Sequence, residues 1–396
     1  MVRRADDRMI YPIYDPVRGG LLDGHNVVAL DSGGCQAGQH TTGVVTGYSS
    51  MYTETITLLM SAWSTATGDD LYPRDNFTRL LPHWVAYEQG PWEFRGTSRV
   101  GQVMQHLAGI YRFTDPDMAS LAAWMGGGKY LEPVTLILGD KGVVPKSPAD
   151  LGLPLSAFLR GADRCYSRSS WDDDALRIEL TTRTMDLQRY EPDPGLVEIG
   201  VMGERLIMSG QTKKGNLRCY LGSGLLLYNP KGELVQPFAA YWSGQRINDS
   251  PLKAATDPLY QGPLPTVEID DAVATFSISD DILYERNRAD VHHVRTLTHD
   301  KVRNTVTVTD EVEIPGDWSY VIQWRTGGKT TIAADTFSVE AGDASLTASV
   351  RGACRLEPYN NGDDGYQGEN TGVHLVPTAG GRQTFVTTFT FDDLVP

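Results

Sequence analysis

The sequence predicts an α+β protein whose helices and strands are segregated along the chain, and three observations carry that reading. Between Ser49 and about Gly126, apolar residues recur at helical spacing. Beyond Ser156 the period shortens to two, with turn residues at regular intervals. Between these regions, Pro133, Pro145, Pro148 and Pro154 break any regular element. Four helices followed by about twenty strands are therefore expected, dividing the chain into a helical segment 1–132, a linker 133–156, a central antiparallel β-sandwich 157–303 and a smaller C-terminal β-domain 304–396.

Residues 1–48 read as loop, because glycines at 19, 20, 24, 33, 34, 38, 43 and 47 make a regular element hard to sustain. The first helix is expected over Ser49–Thr67, with Met51, Thr55, Leu58, Leu59 and Ala62 on one side and Gly68 as the stop. A second runs from Asp75 to Glu88, kinked or restarted at Pro82. The third covers about Ser98 to Tyr111, with Val100, Val103, Met104, Leu107 and Ala108 at helical spacing. Asp115-Pro116 opens the fourth, Pro116 taking the favoured first position, and the glycines at 126–128 end it.

Among the strands, Leu176, Ile178 and Leu180 alternate with Arg177, Glu179 and Thr181, as in a strand with one face on a core and one in water. Val306, Val308, Val312 and Ile314 repeat the pattern, and Leu225-Leu-Leu-Tyr228 suits a strand covered on both faces. Turns are expected at Asn229-Pro-Lys-Gly, Pro315-Gly-Asp, Thr326-Gly-Gly-Lys and Glu340-Ala-Gly-Asp.

Composition narrows the function classes. With 40% hydrophobic and 21% charged residues over 396 positions, the chain is long enough for two or three cored domains. No apolar run reaches membrane-spanning length, and the charged start Met1-Val-Arg-Arg-Ala-Asp-Asp-Arg is not that of a secretory signal. A net charge of −15 argues against nucleic acid as a partner. It sits awkwardly with a polyanion unless arginines reverse the field inside a cleft. Cys35, Cys165, Cys219 and Cys354 are too scattered for a zinc ribbon and read as isolated thiols. His292-His293 fall on opposite faces of a strand, with no evident third and fourth ligand, so no metal is expected. Asp172-Asp-Asp174 and Asp363-Asp364 have the acids for structural calcium, but turn acids are far more often simply solvated.

The chemistry-bearing residues cluster between Gln39 and Arg99: Gln39-His40, Thr46-Gly47-Tyr48, Trp92 and Arg95-Gly-Thr-Ser-Arg99. An imidazole, a phenol and two guanidinium groups suit proton removal beside a carboxylate. Elimination from a uronic-acid sugar needs the carboxylate neutralised, a base for the C5 proton and an acid for the leaving oxygen. A phenol whose pKa is lowered by adjacent cations can be both base and acid. Arginine supplies the cation and bidentate carboxylate recognition, and histidine a second base. Trp63, Trp84, Trp92 and Trp124 are candidates for stacking on sugar; Trp63 lies on an apolar helix face and suits a core better, and Trp92, in an apparent loop, is the strongest of them.

In their order and spacing these motifs resemble those of the polysaccharide lyases that act on hyaluronan, chondroitin and xanthan. Tyr220-Leu-Gly-Ser-Gly224 with the following strand, and Phe238–Arg246 with Tyr241-Trp242, resemble segments of that family's sandwich. The resemblance spans roughly residues 20–260. It implies a partial α/α toroid in front of the sandwiches, its missing part supplied by a preceding segment or a partner chain, and a secreted or periplasmic protein. It also implies an acidic polysaccharide as substrate, no required cofactor, Tyr48 as base and acid, His40 as auxiliary base, and Arg95 with Arg99 holding substrate and polarising the phenol. Tyr52 stands as the rival phenol. Gln39 and Trp92 would contact substrate, as would Asn216, through the match of Lys214-Gly215-Asn216 to the family's Asn-Gly-Glu-Asn segment. Two readings compete: a non-catalytic carbohydrate-binding protein, or an inactive C-terminal fragment of a lyase. A glycoside hydrolase would need two facing carboxylates, and the sequence nominates no such pair.

Overall fold

A computed structural model describes residues 58, 61, 62, 65–68, 82, 83, 85–87, 98–126, 142–159, 164–182, 195–209, 222–235, 265–279, 281, 290–363 and 369–391. The chain divides into a helical unit, chiefly Met1–Pro154, and a β-rich unit that holds nearly all the remainder.

In the helical unit, residues 58, 61, 62 and 65–67 are helical and Gly68 follows at φ 73°, the conformation that ends a helix without strain in a residue lacking Cβ. Residues 82, 83 and 85–87 are helical as well. Helix α1 spans Ser98–Tyr111 and α2 Pro116–Gly126, matching the periodicity. Asp115 caps α2, its carboxylate accepting from Met118 N at 3.3 Å. From Gln102 to Ala108 every residue of α1 is buried, including His106 at 0% exposure, so the helix is covered all round. Gly126 lets α2 close on α1: a Cβ there would lie 2.8 Å from Gln105 Cγ. Trp124 on α2 is 40% exposed.

The β-rich unit contains eighteen strands among the described residues. Sheet A orders β1 (Ser156–Leu159), β2 (Arg164–Arg168), β3 (Arg177–Thr181), β4 (Val197–Val201) and β5 (Glu204–Ile207) as a meander. Sheet B runs β16 (Cys354–Asp363), β17 (Glu369–Pro377), β12 (Ser319–Arg325), β6 (Leu225–Tyr228), β7 (Leu234–Val235). Sheet C has eight strands in the order β13 (Lys329–Ile332), β14 (Thr336–Ala341), β15 (Ala344–Arg351), β18 (Gln383–Thr390), β11 (Thr305–Glu313), β10 (His292–Asp300), β9 (Val273–Ser279), β8 (Thr266–Ile269). The strand pairings among the described residues are antiparallel, and a bridge between Ile207 of the edge strand β5 and Thr326, just past β12, joins sheets A and B. Gly327 is required at that joint, since a Cβ would fall 1.9 Å from Arg205 O.

One core lies between the A–B layer and sheet C. Ile178, Leu180, Ile199, Leu225, Ile322, Trp324, Val373 and Leu375 meet Phe276, Leu297, Val308, Phe337, Phe385 and Phe389 there, with Trp324 edge-on to Phe389 at 5.1 Å. Two polar ties cross it. Arg295 on β10 grips Asp310 bidentately (Nε to Oδ1 2.6 Å, Nη2 to Oδ2 3.1 Å) and donates Nη1 to Gly195 O and Ser223 O on the opposite layer. His293 also hydrogen-bonds Asp310, at 2.9 Å. Burial alone would raise the Asp310 pKa, but Arg295 and His293 hold it below the usual carboxylate range. The second tie runs from Ser156 through Ser167 to His299 Nδ1, each step 2.7 Å. Sheet C turns rows of hydroxyls outward, with Thr275–Thr298, Ser277–Thr296 and Thr307–Thr388 in cross-strand hydrogen bonds.

Two expectations need correcting. The boundary expected at 303/304 falls in the turn between β10 and β11, which pair along nine residues, and sheets B and C both take strands from either side of it. β3 is not a strand with one wet face: all five of its residues are buried, Arg177 and Glu179 included. Leu225–Tyr228 is covered on both faces up to Leu227, as expected. The toroid implied by the resemblance lies largely outside the described residues.

Candidate functional site

Of the residues nominated from sequence, Gln39, His40, Tyr48, Trp92, Arg95 and Asn216 lie outside the described residues, as does Tyr52. Arg99 is the second residue of α1, so the Arg95–Arg99 motif leads into that helix. No geometry among the nominated side chains follows from this.

The described residues bring together a polar surface that the alternation pattern did not flag: the outer face of the A–B layer, turned away from the core. Strand alternation sends Arg164, Tyr166 and Arg168 of β2, Arg177 and Glu179 of β3, and Glu198 of β4 to this face. On sheet B it carries Gln323 and Arg325 of β12, His374 of β17, and Glu357 and Tyr359 of β16. Arg164 donates Nη1 to Glu179 at 2.6 Å, and Arg177 stands 3.7 Å from the same carboxylate. Glu198 accepts from Ser209 Oγ at 2.8 Å and faces Arg205 at 3.5 Å. Burial pushes Glu198 up, yet Arg205 and Arg177 outweigh it and keep the group ionised, below its ordinary range. Arg168 lies over the Trp171 ring at 4.4 Å. Arginine thus outnumbers glutamate on this face in a chain of net charge −15, and Arg164, Arg168, Arg177, Glu179, Glu198 and Arg325 are all buried there. Asp172, the first of the acidic triplet, is tied into a local turn by Ser170 at 2.8 Å. Among the described residues, no group of three or more His, Cys, Asp or Glu side chains could hold a metal ion. No described helix is long and apolar enough to cross a membrane.

The signal that could have found this face is the charge of β2 and β3. Arg164, Arg168, Arg177 and Glu179 all fall on alternate positions of two paired strands, with Tyr166 and Thr181 at the others.

Solved structures share the fold defined by these sheets. A mutant of heparan sulfate lyase HepC from Pedobacter heparinus superposes over 93% of this chain and 56% of its own, with a TM-score of 0.59 and 12% identity. The HepC structure without that designation covers 86% of this chain and 52% of its own at TM-score 0.58, again with 12% identity. A structure of heparinase III covers 98% and 60%, at TM-score 0.53 and 13% identity. At such identities the likeness is one of fold, and this chain spans a little over half the length of those proteins. No protein-family model matches the chain, nor does any curated protein sequence. These neighbours are a heparan sulfate lyase and a heparinase III, not the hyaluronan, chondroitin and xanthan enzymes that the motifs resemble.

Proposed function

We propose that this protein is a polysaccharide lyase that cleaves a uronic-acid-containing glycan by β-elimination, without a required cofactor. The observation that carries the reading is the shared fold with heparan sulfate lyases along 93–98% of the chain in two of the superpositions. The order of the Gln39–Arg99 motifs agrees with it. In this reading Arg95 and Arg99 hold the substrate carboxylate and lower the Tyr48 pKa. The Tyr48 phenolate takes the C5 proton, helped by His40. The C4–O bond then breaks as the C4=C5 double bond forms, and the phenol returns its proton to the leaving oxygen. Gln39, Trp92 and Asn216 position the sugar. Either heparan sulfate or hyaluronan meets the chemical requirement, each carrying a uronic acid.

The test is incubation with each polymer while following near-ultraviolet absorbance of the unsaturated product. Wild type should generate the chromophore, and Tyr48→Phe should lose at least a hundredfold in rate, the usual scale for a missing acid–base group. If Tyr52→Phe is the variant that fails, the role passes to Tyr52. New reducing ends without the chromophore would mean hydrolysis and end the elimination reading. Binding without any cleavage would favour the second reading, a non-catalytic carbohydrate-binding protein.

A further inference from the structure

The outer face of sheet B carries a cluster whose chemistry differs from that of the arginine network. Register places Glu357, His374 and Gln323 side by side on β16, β17 and β12, and Tyr359 beside Gly372 and Arg325 in the next row. The Tyr359 ring stacks on the His374 imidazole, centroids 4.3 Å apart and 17° from parallel. Beneath them lie buried amides. Gln323 is 0% exposed, receives His374 Nε2 on Oε1 at 3.0 Å, and donates Nε2 to Gly222 O at 2.7 Å. Asn370, 1% exposed, accepts the Tyr359 hydroxyl on Oδ1 at 3.2 Å. Its amide nitrogen is buried with no hydrogen-bond partner among the described residues. Tyr359, His374 and Glu357 themselves are only half-buried, with Arg355 exposed at the rim in an ion pair with Glu357.

A buried amide donor left idle is destabilising, and here it sits beside the hydroxyl of a half-exposed aromatic ring. An aromatic platform fixed from behind, planar amides and one carboxylate are what a sugar ring requires: an apolar face to rest on and oriented partners for its hydroxyls. Burial holds His374 neutral, its pKa pushed down to about 4, so the platform adds no charge of its own near neutrality.

We propose that Tyr359, His374 and Asn370, with Gln323 fixing His374 from behind, form a glycan subsite that holds one sugar ring by stacking and hydroxyl recognition. The subsite needs no bond cleavage and stands whether or not the chain is a lyase. The probes are size-defined heparan sulfate and hyaluronan oligosaccharides, titrated by calorimetry into the full chain carrying Tyr48→Phe so that the probe is not consumed. In that background Tyr359→Ala should weaken Kd for the bound probe about tenfold or more, the scale of one stacked ring, and Asn370→Ala severalfold. Tyr359→Phe keeps the ring and removes only its bond to Asn370, so its loss should be smaller. Thr298→Val, on the outer face of sheet C, should bind as the parent does. Parent-like affinity in both Tyr359→Ala and Asn370→Ala, with native circular dichroism and melting, overturns the subsite; so does a parent that binds neither probe. If the probe binds through Tyr359 while the wild-type chain, with Tyr48 restored, yields no unsaturated product, the subsite stands and the lyase reading falls.

Discussion

His299 shows how much a single buried side chain can control. It is 0% exposed, hydrogen-bonded at Nδ1 to Ser167, and held neutral by burial with a pKa of about 4 against an ordinary 6.5. Protonation therefore favours the unfolded chain. Stability is complete above pH 6.5 and declines as pH falls toward 4, a gap worth about 3 kcal/mol at most. Urea unfolding of the β-rich unit at intervals from pH 7.5 to 4.5 should show that slope, and His299→Leu should flatten it. None of this was legible beforehand, because a histidine in an alternating strand looks alike whether it meets water or a facing sheet. Arg177 and Glu179 teach the same lesson. Alternation says which side chains share a face and is silent on what covers that face, so a polar residue facing other polar residues reads as a solvated one.

At the scale of elements the sequence was more informative. Both ends of α1 and the Asp115–Pro116 start of α2 followed from apolar spacing and capping chemistry, and Leu225–Leu227 was read as doubly covered because no polar residue interrupts it. What escaped was the joint between sheets. Nothing local marks Gly327 as the place where sheet A meets sheet B; only the close approach of Arg205 O makes it indispensable. Gly327→Ala should cost about 3 kcal/mol or more, since backbone and not a yielding side chain blocks the new methyl. Gly316→Ala, in an exposed turn with nothing within 4 Å of the added carbon, should stay within about 0.5 kcal/mol. Chemical denaturation of the pair separates a required glycine from an incidental one.

For the whole molecule, the fold class was legible and the division at 303/304 was not. A cluster of turn residues marks the end of a strand equally well inside one domain and between two, and only long-range pairing distinguishes them. The candidate site was legible only as motifs: the residues between Gln39 and Arg99 carry the chemistry of elimination, while the arginine face of the A–B layer emerges only once strands distant in sequence lie side by side.

The nine-residue pairing of β10 with β11 has a practical consequence for anyone dissecting this protein. Expressed separately, 157–303 and 304–396 would each present a long, unpaired edge, that of β11 rich in Val and Thr, the kind of template that recruits other chains. Each piece should be insoluble alone, while co-expression should return soluble material as a two-chain complex, detectable by co-purification through a tag on either piece. Independent solubility of the two would mean that the ladder between them is dispensable.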